Sequence, residues 1–74
     1  MEKLADYLHT LKLYLASNGS VQKTAEENFT HRNTVNYRIK RICEILGVDL
    51  LQDGKARYKI QTALYIKELL DRNS

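Results

Sequence analysis

One stretch of the chain carries side chains that suit hydrogen bonding to bases and phosphates. Between residues 31 and 41 there are guanidinium, ammonium, carboxamide, hydroxyl and imidazole groups, together with one phenol. A guanidinium can donate two hydrogen bonds to guanine or grip a phosphate, and a carboxamide can pair with adenine. A threonine suits a phosphate or a thymine methyl group. The candidate binding residues are His31, Arg32, Asn33, Thr34, Asn36, Tyr37, Lys40 and Arg41.

The positive charge of the chain is concentrated in the same stretch. The formal net charge of the 74 residues is +3. Residues 30–46 contain four basic residues and one acidic residue, whereas the rest of the chain contains eight of each. A basic stripe on one element favours an anionic partner such as nucleic acid. Charge alone is equally compatible with a solvated helix face.

Apolar residues in this stretch predict a helix over about residues 31–46. They recur at a spacing that places them on one helical face, so the amide, aromatic and basic groups fall on the opposite face. Thr30 is the expected N-cap of this helix, and Gly47 is the expected stop. The predicted apolar stripe consists of Val35, Ile39, Ile42 and Leu46.

A shorter helix is predicted ahead of it, over about residues 21–28, with Ser20 as N-cap. Only two or three residues separate the two helices, and Phe29 is expected to anchor this turn in the core. So short a connection is typical of a helix-turn-helix, here over about residues 20–46. Lys23 lies in the exposed first turn of the shorter helix and is a further candidate for phosphate contact.

Two longer helices are predicted on either side of this pair, over about residues 2–17 and 55–72. Leu50 or Leu51, in the link ahead of the last helix, is expected to be buried beneath the helices. The apolar arc of the last helix is wide, which indicates either deep burial or a face left for a partner. Its first turns carry Lys55, Arg57 and Lys59, which either reach phosphates beside the main site or form a solvated helix start.

The pattern as a whole predicts an all-α fold, a small four-helix domain that contains a helix-turn-helix. Strand-like alternation, internal repeats and proline are absent from the sequence. At 74 residues the chain, residues 1–74, is expected to form a single domain.

Residues that would indicate catalysis or a metal site do not assemble along the chain. His9 and His31 fall on different predicted elements, and the single cysteine, Cys43, has no metal-ligand spacing. There is no glycine-rich phosphate loop, and so small a domain has little room for a ligand pocket. We therefore expect that the chain is not an enzyme and that it binds no cofactor, no metal and no small-molecule ligand. We also expect no membrane partner, since no apolar run approaches the roughly 20 residues of a membrane span.

A specific string of residues runs through the predicted helix-turn-helix. It reads HRNTV at residues 31–35, continues with Tyr37-Arg38 and closes at Gly47; ahead of it stand Asn18-Gly19, Ala25 and Phe29. These residues resemble the C-terminal helix-turn-helix domain of the PucR family of bacterial transcription regulators, and more distantly the Fis-type DNA-binding domain. The last helix, ARYKIQTALYIKELL, also resembles that of the family. Asn28 and Thr30 depart from it, because the family usually has apolar residues at these positions.

The resemblance implies sequence-specific binding of double-stranded DNA by the DNA-binding domain of a bacterial transcription regulator. Family members usually carry a large N-terminal regulatory region, so the chain is expected to be the C-terminal domain of a larger regulator. Such a protein is cytoplasmic, and it is associated with the nucleoid when bound. In domains of this shape the first turns of the second helix enter the major groove.

Several alternatives stay open at this point. Asn33 either reads adenine or caps its own helix, and His31 either donates to a phosphate or makes a local contact with the preceding helix. A homodimer on two half-sites would give useful specificity, with its interface on helix four or helix one. A function of another class is a helical protein–protein interaction or dimerisation module whose basic face binds an acidic partner.

Overall fold

The computed structural model describes residues 3–72 as four α-helices joined by short connections. The helices are α1 (Leu4–Ala16), α2 (Val21–Glu27), α3 (Arg32–Leu46) and α4 (Gly54–Arg72). No β-strand occurs within residues 3–72. The predicted all-α class is therefore confirmed, and each helix ends within two residues of its predicted bounds.

Short polar and glycine residues set the helix ends, as predicted. The Ser20 hydroxyl caps α2 by accepting a hydrogen bond from the backbone N–H of Lys23 at 3.2 Å. Between α1 and α2, Asn18 and Gly19 have φ angles of 57° and 84°. Asparagine and glycine tolerate this left-handed conformation better than other residues do. Gly47 ends α3 in the same region, with φ at 70°.

The hydrophobic core lies where α1, α2 and α3 meet. Val35 and Ile39 of α3 are fully buried in one cluster with Leu11 and Leu15 of α1. Ala25 of α2 is also buried there, and its small side chain lets the helices approach closely. The predicted inward face of α3 is confirmed at these positions.

The predicted burial is wrong at Leu46, the last residue of the apolar stripe of α3. Leu4 and Leu8 of α1 and Leu46 of α3 are exposed, and together with Ile45 they line an open apolar groove of about 470 Å³. These side chains remain in solvent because, among the described residues, α4 packs on α1 and not on α3.

The link between α3 and α4 is held in place by a buried leucine and by two hydrogen bonds to the carbonyl oxygen of that residue. Leu50 is fully buried, as expected for one of the two leucines there. The Tyr14 hydroxyl donates to the Leu50 carbonyl at 3.2 Å, and Arg57 Nη1 donates to the same oxygen at 3.0 Å. Burial raises the pKa of Tyr14 above its ordinary value of 10.0, although the nearby Arg57 guanidinium acts in the opposite direction. Arg57 thus stabilises the fold through this hydrogen bond, and its predicted place in an exposed basic cluster is wrong.

Helix α4 leaves most of its apolar side chains in solvent. Ala56, Ile60 and Leu64 pack against the core, but no residue of the described helix is fully buried. Of the two interpretations of its wide apolar arc, deep burial is therefore wrong. An ion pair between Lys12 and Glu68 at 2.9 Å helps to hold α4 on α1, and this contact lowers the pKa of Glu68. None of the helices within residues 3–72 combines the length and apolarity needed to cross a bilayer.

Candidate DNA interface

The corner between α2 and α3 consists of Asn28, Phe29, Thr30 and His31. The Phe29 N–H donates to the Glu26 carbonyl at 3.3 Å, and the Thr30 N–H donates to the Ala25 carbonyl at 3.0 Å. These two bonds form a Schellman motif, which ends a helix with one residue in the left-handed conformation. That residue is Phe29, with φ at 52°.

Phe29 does not anchor the turn, so its predicted place in the core is wrong. Its side chain is 96% exposed. The cause is the left-handed backbone at this residue, where the α2 helix ends. Instead, the core beneath the corner is filled by Ala25 from α2 and Val35 from α3.

His31 is the N-cap of α3, a place that the sequence had suggested for Thr30. Its Nδ1 accepts a hydrogen bond from the backbone N–H of Asn33 at 3.0 Å, and α3 begins at Arg32. Thr30 does not fill this role because it lies one residue ahead of the N-cap position and is part of the motif that ends α2. The local contact of His31 is thus with α3 itself and not with α2, and the Asn33 side chain is exposed.

The outer face of α3 presents the predicted polar and basic side chains to solvent. Its exposed members are Arg32, Asn33, Tyr37, Lys40 and Arg41, and Tyr37 is exposed despite its aromatic ring. Thr34 and Asn36 are half-buried and lie beside this face. Arg41 is the member engaged in an ion pair, since its Nη1 lies 3.1 Å from Glu44 Oε2. The face that the sequence predicted is therefore assembled on one rigid helix.

A buried threonine fixes α3 against α1. The Thr10 hydroxyl is fully buried and donates to the Asp6 carbonyl at 2.8 Å. It also accepts from Arg38 Nη1 at 3.0 Å and from Asn28 Nδ2 at 3.4 Å. Buried polar groups are stable when they are satisfied in this way. Arg38 and Asn28 therefore hold both the corner and the first turns of α3 in place.

Lys23, in the first turn of α2, is a separate exposed cation. Its backbone N–H is taken by the Ser20 cap, so the ammonium group is what remains for an anion. Between α2 and the start of α3 there is a shallow cleft of about 340 Å³. It is lined by Gln22, Ala25, Glu26, Thr30, His31 and Arg32. Among residues 3–72 there is no cluster of histidine, cysteine or acidic side chains that would hold a metal ion.

One known protein family matches the part of the chain that contains these helices. The sequence profile of the PucR C-terminal helix-turn-helix domain matches residues 7–66. That range includes the whole of α2 and α3, most of α1 and about two thirds of α4. The matched region therefore contains every candidate contact residue described above.

Individual relatives include regulators of bacterial transcription. The proline-responsive transcriptional activator PutR of Bacillus subtilis (strain 168) is 36% identical over 93% of this chain and 16% of its own length. The purine catabolism regulatory protein of the same organism is 36% identical over 85% of this chain and 12% of its own length. An uncharacterized protein of Thermomonospora curvata is 46% identical over 74% of this chain and 30% of its own length. The chain thus spans less than a third of each relative, and no solved structure matches it.

Proposed function

The chain belongs to the family of PucR C-terminal helix-turn-helix domains, the DNA-binding domains of transcription regulators, and we propose that α3 is its recognition helix. In this proposal the domain binds double-stranded DNA sequence-specifically, with the first turns of α3 in the major groove. The observation that supports it best is the exposed face of α3, where cationic, amide and aromatic groups stand on a helix fixed by Thr10.

Each side chain of this face has a role that follows from its chemistry. Arg32, in the first turn, is the candidate for a bidentate contact with guanine O6 and N7. Asn33 and Asn36 are candidates for adenine, and Thr34 for a phosphate or a thymine methyl group. The contacts proposed with the DNA backbone come from Tyr37, Lys40, Arg41, Lys23 and His31, the last through Nε2, the ring nitrogen that does not cap α3.

Removal of two cations from this face tests the proposal. The double variant Arg32→Ala and Lys40→Ala should bind a duplex selected from a random-sequence pool roughly 10- to 100-fold more weakly than the parent chain. A matched control is Lys67→Ala with Arg72→Ala, which removes the same charge from α4. Fluorescence anisotropy at constant salt gives both affinities. Equal losses in the two double variants would mean that net charge, and not α3, governs binding.

We further propose that the domain acts as a homodimer whose interface is the outer face of α4. Tyr58, Thr62, Tyr65 and Leu69 follow a 4-3-4 spacing, the seam that packs against a copy of itself in a two-helix contact. Tyr58 and Tyr65 are 72% and 63% exposed. Aromatic side chains bury roughly 150–250 Å² each, so the two tyrosines supply about 300–500 Å² of the roughly 800 Å² per partner of a stable interface. Because α4 does not contact α3 within the described residues, this pairing leaves both recognition helices free.

Sedimentation equilibrium tests the dimer directly. The parent chain should associate as its concentration rises, and Tyr65→Asp with Leu69→Asp should abolish association without loss of helical content. The control Ile45→Asp places a charge in the groove between α1 and α3 and should leave association unchanged. A parent chain that stays monomeric at every concentration, or an effect confined to Ile45→Asp, would contradict the α4 interface.

The remaining parts of the proposal concern the protein in which the domain acts. Since the relatives are several times longer, we propose that the domain, residues 1–74, is the C-terminal DNA-binding part of a larger cytoplasmic regulator, associated with the nucleoid when bound. We assign it no catalytic role and no small-molecule ligand of its own. A folded chain that bound a protein partner but no DNA would instead favour an interaction module.

A further inference from the structure

Phe29 combines a fixed backbone with a free side chain. Its N–H and that of Thr30 are hydrogen-bonded to the end of α2, so the position of its Cα is set by the Schellman motif. The ring, in contrast, is 96% exposed. The chain therefore presents an aromatic side chain from a defined point, three residues ahead of Arg32.

Among residues 3–72, Phe29 belongs neither to the hydrophobic core nor to the side chains packed against it. A non-glycine residue with positive φ is uncommon, and for a bulky side chain the conformation is strained. Burial of the ring, which could compensate for strain, does not occur. Its neighbours in the chain, Glu27, Asn28, Thr30 and His31, are polar, and Phe29 is not among the residues that line the apolar groove between α1 and α3.

The position of the ring relative to α3 indicates what it contacts. Consecutive Cα atoms lie 3.8 Å apart, so Phe29 stands within roughly 11 Å of the Arg32 Cα. A B-DNA major groove is about 12 Å wide, so a residue that close to the first turn of the recognition helix is within reach of the groove edge. The apolar surfaces there are the deoxyribose rings and the thymine methyl groups. We infer that Phe29 is a DNA-contacting residue that packs its ring on this apolar surface; the inference rests on the proposed function of α3.

An apolar contact has a signature that a phosphate contact lacks. It releases no counterions, so its loss lowers affinity by the same factor at every salt concentration. Phe29→Ala should therefore weaken binding to a selected duplex roughly three- to tenfold and leave the slope of log affinity against log salt unchanged. In contrast, Lys40→Ala should reduce that slope by about 1.

Two further variants separate the contact from folding. Phe29→Gly also removes the ring but relieves the backbone strain, so it should bind as weakly as Phe29→Ala while its unfolding midpoint rises. Leu4→Ala is the matched control, because it removes another exposed apolar side chain far from α3's first turn. This control should leave affinity unchanged.

The outcomes are distinct. If Phe29→Ala and Phe29→Gly bind as tightly as the parent chain while Arg32→Ala with Lys40→Ala binds weakly, this inference fails and the proposed function stands. If the parent chain binds no duplex, both fail. A duplex with deoxyuridine in place of thymidine identifies the surface: the Phe29 effect disappears if the ring packs on a thymine methyl group and persists if it packs on deoxyribose.

Discussion

Helices α1 and α2 end in the same hydrogen-bonding motif, yet the residues in the left-handed position of that motif are very different. At the end of α1, the N–H groups of Asn18 and Gly19 donate to the Leu15 and Tyr14 carbonyls at 3.0 and 2.9 Å. At the end of α2, Phe29 and Thr30 make the equivalent bonds. The left-handed residue is Asn18 in the first corner and Phe29 in the second. The first corner therefore uses a residue suited to its backbone, whereas the second does not.

The surroundings of the two corners explain the contrast. The first corner is closed, because a Cβ on Gly19 would lie 2.8 Å from Arg57 Nε, and that nitrogen is buried without a hydrogen-bond partner among the described residues. The second corner is open, and its aromatic ring stands in solvent beside the candidate DNA interface. The comparison suggests that the first corner stabilises the fold, whereas the second exposes an aromatic side chain for contact with a partner.

The largest effect is expected from a side chain at the closed corner. Gly19→Ala places a Cβ at φ 84° and against Arg57, so it should lower the free energy of unfolding by about 2 kcal/mol. Gly47→Ala is the matched control: φ there is 70°, but no atom lies within 4 Å of the added Cβ. Its loss should be about 1 kcal/mol, from backbone strain alone. Urea denaturation measures both, and equal losses would mean that contact with Arg57 contributes nothing.

A smaller loss is expected beneath the closed corner. Tyr14→Phe removes one of the two donors to the Leu50 carbonyl, and Arg57 still satisfies that oxygen, so the loss should be about 1 kcal/mol. Denaturation by urea at neutral pH measures it. An unchanged midpoint would show that the hydroxyl is stabilised as well by water as by Leu50.

The same variant should change the stability at high pH. The pKa of Tyr14 is raised by burial, and Cys43 and Asp49 raise it further while Arg57 opposes them. A raised pKa means that the folded state favours the neutral phenol, so this contribution is complete below about pH 10 and is lost as pH rises through the folded-state pKa. The parent chain should therefore lose more stability above pH 10 than Tyr14→Phe does. Parallel pH profiles of the two chains would contradict this assignment.

The smallest effect, and one of opposite sign, is expected at the open corner. Phe29→Gly should raise the free energy of unfolding by up to about 1 kcal/mol, because it relieves strain without removing a buried side chain. Thermal unfolding followed by circular dichroism measures the change. A loss of stability would mean that the ring supports the fold, and the contrast between the two corners would no longer hold.

Much of the architecture could be predicted because it depends on local signals. Ser20, Asn18, Gly19 and Gly47 mark helix ends by backbone chemistry that acts within a few residues. The buried face of α3 follows from the helical spacing of its apolar residues, and its outer face consists of the polar residues on the opposite side. The family resemblance depends on residues of that helix together with residues before and after it, and it is confirmed by the profile match.

Several of the errors concern contacts between distant parts of the chain. Arg57 is a basic residue near a helix start, and only the fold shows that it lies under Gly19 and donates to Leu50. The apolar pattern at Leu46 is that of a buried residue, yet no helix covers it. The prediction for Phe29 is wrong because apolar character alone does not imply burial. A signal for its exposure was present, since it directly follows a helix end where a left-handed residue is common.

The most direct test of the central claim is a salt titration of the chain with random duplex DNA, followed by fluorescence anisotropy. If the face of α3 contacts several phosphates, the affinity should fall steeply and log-linearly as salt increases, with a slope of about −0.9 for each phosphate neutralised. If the folded chain shows no binding even at low salt, as monomer and as dimer, the face of α3 does not read DNA and the account is wrong.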